Sequence, residues 1–231
     1  MSETSSITID VVSDVVCPWC FVGHKRLERA LKLAPDVEAE IRWRPFQLDP
    51  TIPPEGKERK AYMAAKFPNQ EQLRQSHAQL RSLGEAEGIS FDFDAIAVSP
   101  NTLDAHRVIR WAGTAGEAVQ SRVADELFSR YFERGENTGD RAVLIDAAKA
   151  AGMDAAVVET LLPTDADVEA VRAEITTASR MGITGVPCFV IESRYALMGA
   201  QDAETLADAI RQIAGAKARG ELDDEPEAPK H

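Results

Sequence analysis

The sequence predicts an α/β protein in which a β–α–β half and a β–β–α half are separated by a large all-helical insertion. Three observations predict it. A β-branched run at residues 7–12 leads directly into helical periodicity and then into an alternating apolar–polar stretch at 39–48. The long middle, residues 57–182, carries helix-like segments and no convincing strand pattern. Two short apolar runs, 188–193 and 195–198, then precede a last amphipathic segment.

Each element has a local reason. Residues 7–12 (Ile-Thr-Ile-Asp-Val-Val) are β-branched and flanked by polar residues, which suits a buried strand. From Trp19 onward Leu27, Ala30, Leu31 and Ala34 return at helical spacing, and Pro35 stops the helix. Residues 39–48 alternate and read as a second strand. In the middle, 70–87 carry Leu73, Leu80 and Leu83. Residues 102–112 carry Leu103, Val108 and Trp111, with Asn101 placed to cap them. Residues 117–133 carry Val123, Leu127 and Tyr131. Three Ala-rich segments follow, 140–151, 154–162 and 166–181, punctuated by Gly152, Pro163 and Gly182. The runs 188–193 and 195–198 read as strands joined by a tight turn, with Gly199 ending the second. A final helix over 202–214 aligns Ala203, Leu206, Ile210 and Ile213 on one face. Residues 216–231 are polar and Pro-containing, and a disordered tail is expected. A parallel start, an antiparallel hairpin and a terminal helix fit a thioredoxin core, formed by 7–56 and 183–215 and split by a helical domain over 57–182.

The composition bounds the function. With 44% apolar residues the chain can bury a sizeable core. Its 26 Lys+Arg against 38 Asp+Glu leave a net charge of −12, which argues against nucleic acid and anionic membranes as partners. The start, Met1-Ser2-Glu3-Thr4-Ser5-Ser6, has neither a basic n-region nor an apolar h-region, and no run is long enough to span a bilayer. A cytoplasmic location is therefore expected. In a reducing compartment a structural disulfide is improbable, so a close cysteine pair points to redox catalysis or metal binding.

That pair is Cys17-Pro18-Trp19-Cys20, placed between the first strand and the first helix. A helix N-terminus presents unpaired N–H groups and the positive end of the dipole, so a thiolate is stabilised there relative to free cysteine. Pro18 suits the first turn, where a missing N–H costs nothing. Cys17 is expected to be the exposed nucleophile, and Cys20, one turn on, the less exposed resolving thiol. No cofactor is required. Two other readings stand beside this one. The pair could be buried apolar cysteines. It could also ligate a metal with His24 and Cys188, although structural zinc sites draw ligands from two loops and no second CxxC exists. His24 otherwise reads as a solvated helix residue. A second motif is Gly185-Val186-Pro187-Cys188, where the proline opens a strand with either a trans bond or a cis one.

Three blocks together resemble the DsbA-like oxidoreductases of the FrnE type. They are Cys-Pro-Trp-Cys-Phe-Val-Gly at 17–23, Pro-Asn-Thr-Leu-Asp-Ala-His-Arg at 100–107, and Thr-Gly-Val-Pro at 184–187 followed by Gly-Ala-Gln at 199–201. The resemblance runs in order from about residue 7 to 215. It implies a thioredoxin domain with a helical insertion, a cis peptide at Val186–Pro187, and a loop there that packs on the redox cysteines. The residue before the proline is implied to offer backbone hydrogen bonds to an extended substrate. Asn101 and His106 are implied to face the active site, against the plainer readings of an N-cap and a packed histidine. The implied substrate-binding set is thus Pro18, Trp19, Val186, Pro187, Asn101 and His106.

Two departures qualify the resemblance. The dipeptide Pro18-Trp19 lacks the histidine of strong periplasmic oxidants, so exchange in either direction is open. Cys188 stands where an apolar or aromatic residue is expected, as a small core hydrophobe or as a third thiol. The function expected is thiol–disulfide exchange with protein or small-thiol substrates, by a monomer or a homodimer. One alternative is a glutathione-dependent isomerase or transferase, as in the related 2-hydroxychromene-2-carboxylate isomerase and kappa-class group, with glutathione as co-substrate. That group lacks a resolving cysteine, which Cys20 supplies here. The other is a non-catalytic, chaperone-like binding protein.

Overall fold

A computed structural model describes residues 5–222. The first half opens with β1 (Ser5–Ser13), α1 (Pro18–Leu33) and β2 (Val37–Pro45). Next come β3 (Lys57–Glu58), α2 (Arg59–Lys66), α3 (Gln70–Ala86) and β4 (Val98–Ser99). Five helices follow: α4 (Leu103–Thr114), α5 (Glu117–Phe132), α6 (Arg141–Ala150), α7 (Ala155–Leu161) and α8 (Val168–Arg180). The chain closes with β5 (Cys188–Ile191), β6 (Tyr195–Met198) and α9 (Ala203–Ala218). No helix among the described residues is long and apolar enough to cross a membrane.

The main sheet has the order β2-β1-β5-β6. β1 pairs parallel with β2, placing Ile9 opposite Ile41, and antiparallel with β5, placing Ile9 opposite Ile191. β5 and β6 form an antiparallel hairpin whose turn residues Glu192 and Ser193 both have positive φ, 53° and 54°. Such a turn matches the twist of its strands. It also ends β5 two residues earlier than the apolar run implied. Ile7, Ile9 and Val11 face one way and are buried with α1 and α9, while Val12 faces the other way into a small cluster with Ile183, Cys188 and Val190.

Several expectations are corrected. β2 spans 37–45 rather than 39–48, because its register ends with Pro45 opposite Ser13. Beyond that point the chain turns: Phe46 N donates to Ser13 O (3.0 Å) and Leu48 N to Asp14 Oδ2 (2.8 Å). α2 escaped the sequence reading because it buries no residue and so has no apolar stripe. It is held by its cap, Glu58, whose carboxylate accepts from Lys60 N (2.9 Å) and Ala61 N (2.6 Å). The β3–β4 ladder is two residues deep, too short for a pattern. α9 runs to Ala218, past the expected start of a tail at 216, and residues 223–231 lie outside the described residues.

The helices between β2 and β5 share one core with the sheet. Phe21 of α1 stacks on Phe128 of α5 at 5.2 Å and meets Phe91 edge-on at 5.9 Å. Arg107, 2% exposed, ties α4 to the turn after α7, donating to Leu161 O (3.0 Å), Thr164 O (2.7 Å) and Ala166 O (2.7 Å). Its remaining charge is met by Asp104 at 2.7 Å.

Candidate active site

The turn between β1 and α1 builds the site. Cys17 is the N-cap of α1, with extended backbone (φ −95°, ψ 113°), and Pro18 fills the first helical position. Cys17 N donates to Asp14 O at 2.9 Å, which closes the turn. Cys17 O accepts from Cys20 N (3.0 Å) and Phe21 N (3.3 Å), which starts the helix. The Val186–Pro187 peptide is cis, and the Cys17 thiol donates to Val186 O at an Sγ–O distance of 3.7 Å. Gly23 makes this approach possible. A Cβ there would lie 2.9 Å from Pro187 Cγ and 3.2 Å from the Phe189 ring.

Both thiols are free and buried, Cys17 at 4% exposure and Cys20 at 2%. The expectation of an exposed Cys17 is corrected: the 185–187 loop lies over it. The two sulfurs still differ. Cys17 lines a groove of about 550 Å³ and Cys20 does not. Burial first, and then the neighbouring Cys17, push the Cys20 thiol well above its ordinary value, while the Ser13 side chain and the Asp14 backbone pull it back.

The groove runs from Cys17, Pro18 and Trp19, beside Gly185 and Val186, to the inner sides of α2 and α3. Its walls are largely apolar, with Ile52, Met63, Leu73 and Phe93 among them. Arg59 crosses its floor, donating to Tyr131 Oη (3.0 Å) and Ser99 Oγ (3.4 Å). Tyr62 donates to Asp49 Oδ2 (3.0 Å), and burial together with that carboxylate pushes its phenol up to about 12. Neither Arg59 nor Tyr62 was singled out from the sequence, and Tyr131 was read only as part of the apolar face of its helix. Arg59 and Tyr62 lie on α2 and Tyr131 on α5, so no local spacing joins them.

The two insertion residues are placed otherwise than expected. Asn101 does not line the groove. Its Oδ1 accepts from Leu103 N (3.0 Å) and Gln47 Nε2 (3.1 Å), and its Nδ2 donates to Ile52 O (2.6 Å). It thus starts α4, one residue ahead of the cap position held by Thr102, and ties down the 47–52 loop. His106 is 4% exposed; its Nε2 is 2.8 Å from Phe46 O and 3.5 Å from Asp14 Oδ1. It lines a second, smaller cavity behind the site. Asp14, 1% exposed, was missed by the sequence reading, and its Oδ1 has no hydrogen-bond partner.

His24 is buried rather than solvated. It packs edge-on to Trp43 at 5.1 Å, with Nε2 3.4 Å from Asp125 Oδ1. Cys188 is fully buried on β5 among Val12, Ile183 and Val190, and burial pushes its thiol up. It packs as a small hydrophobe. No group of three or more metal-ligating side chains is assembled among the described residues.

Comparison with known proteins places these features in context. The family model of the DSBA-like thioredoxin domain matches residues 8–211. The uncharacterized protein YwbO of Bacillus subtilis (strain 168) is 30% identical over 189 residues, 80% of this chain and 87% of that one. The crystal structure of the probable DsbA oxidoreductase SCO1869 from Streptomyces coelicolor is similar at a TM-score of 0.82 and 29% identity, covering 97% of this chain and 94% of that one. A 2-hydroxychromene-2-carboxylate isomerase structure shares the fold at a TM-score of 0.69 and 15% identity, covering 94% and 100%.

Proposed function

Because the chain belongs to the DSBA-like thioredoxin domain family, we propose that it exchanges disulfides with protein or small-thiol substrates through the Cys17–Cys20 couple. The observation that carries this reading is the position of Cys17. It caps α1, its sulfur is 3.7 Å from Val186 O, and it stands on the wall of a groove wide enough for a small molecule or a short peptide.

The chemistry follows from that geometry. The Cys17 thiolate attacks one sulfur of a substrate disulfide, and the other substrate sulfur departs as thiolate. Cys20 then loses its proton and attacks the Cys17 sulfur. The second substrate thiolate leaves, and a Cys17–Cys20 disulfide remains. Run backward, the same steps oxidise a substrate dithiol. In either direction Val186 O, released from the Cys17 thiol, accepts a backbone N–H of the bound substrate. Pro18, Trp19 and Val186 shape the end of the groove beside the Cys17 sulfur.

The test is a trap. Cys20→Ser is expected to accumulate a covalent mixed disulfide at Cys17, seen by mass spectrometry, and to lose turnover with a disulfide substrate. Cys17→Ser is expected to form no adduct. Full turnover by Cys20→Ser would overturn the two-thiol mechanism in favour of a glutathione-dependent one.

A further inference from the structure

The groove beside Cys17 carries a cation that no carboxylate meets. Arg59 opens α2 just beyond the β3–β4 ladder, where its backbone N–H donates to Ala97 O at 2.9 Å. Two buried hydroxyls hold its guanidinium. Nη1 donates to Tyr131 Oη (3.0 Å) and Ser99 Oγ (3.4 Å). The Tyr131 hydroxyl donates onward to Val98 O (3.3 Å), which leaves its oxygen free to accept from Arg59. Nε and Nη2 have no hydrogen-bond or ion-pair partner among the described residues.

The other titratable groups of the groove outside the redox turn are engaged elsewhere. Asp14 Oδ2 accepts from Leu48 N (2.8 Å), and its Oδ1 faces His106 Nε2 at 3.5 Å. Asp49 accepts from Thr51 Oγ1 (2.5 Å) and Tyr62 Oη (3.0 Å). Lys66 donates to Tyr62 Oη (3.0 Å), and His77 stacks on Phe93 at 4.2 Å. A guanidinium among apolar walls costs free energy unless a counter-charge meets it. The unbonded Nε–Nη2 edge is the fork that receives a carboxylate through two parallel bonds.

We propose that Arg59 sets the substrate class: the groove takes a small disulfide with an apolar body and a carboxylate, the carboxylate resting on the Nε–Nη2 edge while the disulfide meets Cys17. The inference rests on the Cys17–Cys20 exchange proposed above and names its substrate. A groove of about 550 Å³ suits a small molecule, and Ile52, Met63, Leu73 and Phe93 supply walls for its apolar body. The selection is local. The chain's net charge of −12 repels an acid at long range, so a preference for one has to arise in the groove. The exchange itself is unaltered: both substrate sulfurs leave as thiolates, and Cys17 and Cys20 are oxidised to their disulfide.

The test uses the full chain, reduced, in a single turnover with bis(4-carboxyphenyl) disulfide and with its dicarboxamide. The released aromatic thiolate is followed by absorbance, and each rate is divided by that of a free dithiol to remove the intrinsic difference between the two disulfides. The wild type is expected to reach its half-maximal rate at a concentration ~10-fold lower for the acid than for the amide. Arg59→Gln is expected to bring that ratio close to one, and Arg59→Lys to keep part of it, since an ammonium supplies charge without the fork. A wild-type ratio near one, or a wild-type ratio retained by Arg59→Gln, would overturn the assignment. Preference confined to a peptide disulfide carrying a glutamate, and absent from the small acid, would overturn it as well. Failure of the exchange reading is distinguishable. No thiolate from either disulfide would sink that mechanism, whereas equal binding of 4-(methylthio)benzoate and 4-(methylthio)benzamide, followed by tryptophan fluorescence, would sink the carboxylate site alone.

Discussion

Cys17 and Cys20 share one helical turn yet meet opposite surroundings, and single atoms set the difference. Cys17 meets a carbonyl and a groove; Cys20 meets burial and the neighbouring Cys17. Gly23 is the smallest device of this kind. Gly23→Ala puts a methyl within 2.9 Å of Pro187, so the loop must retreat. Overpacking of this sort costs about 1–3 kcal/mol, and the exchange rate is expected to fall with the lost register of Val186 O; chemical denaturation and a turnover assay check both. Arg107 belongs to this scale too. Arg107→Ala removes a donor from the carbonyls of Leu161, Leu162, Thr164 and Ala166 and from Asp104, and is expected to cost about 3–5 kcal/mol in denaturant unfolding. Arg107→Lys should recover little of that, because an ammonium cannot reproduce the planar fork. The Pro100–Arg107 block is thus explained by structure: Asn101 starts a helix, His106 backs the site, and Arg107 holds a loop.

Helix α1 is fastened to α5 by a charged cluster one turn past the redox pair. His24 and Lys25 flank Asp125 of α5, with Glu28 on the rim. Burial alone would raise the Asp125 carboxyl, but hydrogen bonds and charge from His24 and Lys25 outweigh it and hold the group at about 2. A carboxyl depressed on folding stabilises the protein above its unfolded value near 3.8 and loses that contribution as pH falls toward about 2. With the side chain 38% exposed, solvent screening reduces the gain to about 1 kcal/mol. Asp125→Asn should therefore lower Tm at pH 6 and match the wild type below about pH 2, as thermal melts across that range will show. Elements with a buried stripe were readable in the sequence, α1, α4, α5 and α9 among them. α2 was not, since nothing on it is buried.

At the scale of the molecule, the sheet and the helices that interrupt it share one apolar core. Phe21 belongs to the redox helix, but its ring partners, Phe91, Phe128 and Phe132, all come from the interrupting segment. Phe21→Ala is expected to cost about 3–5 kcal/mol and to loosen α1 where it carries the thiols. The shared core also predicts a single cooperative transition, with tryptophan fluorescence and circular dichroism coinciding in denaturant. Two separated transitions would show that the interrupting helices fold on their own.

The order of the main-sheet strands with α1 and α9, the β1–α1 turn and the cysteine pair were determined by the sequence alone, because they depend on near neighbours: periodicity, a proline in the first turn, and spacing along one helix. Only the tertiary structure decided what surrounds the sulfurs. The burial of Cys17, the bond to Val186 O, the groove floored by Arg59 and Tyr131, and the cavity behind Ser13 join residues from distant parts of the chain. Such meetings are set by how helices pack on the sheet, and no local pattern encodes them.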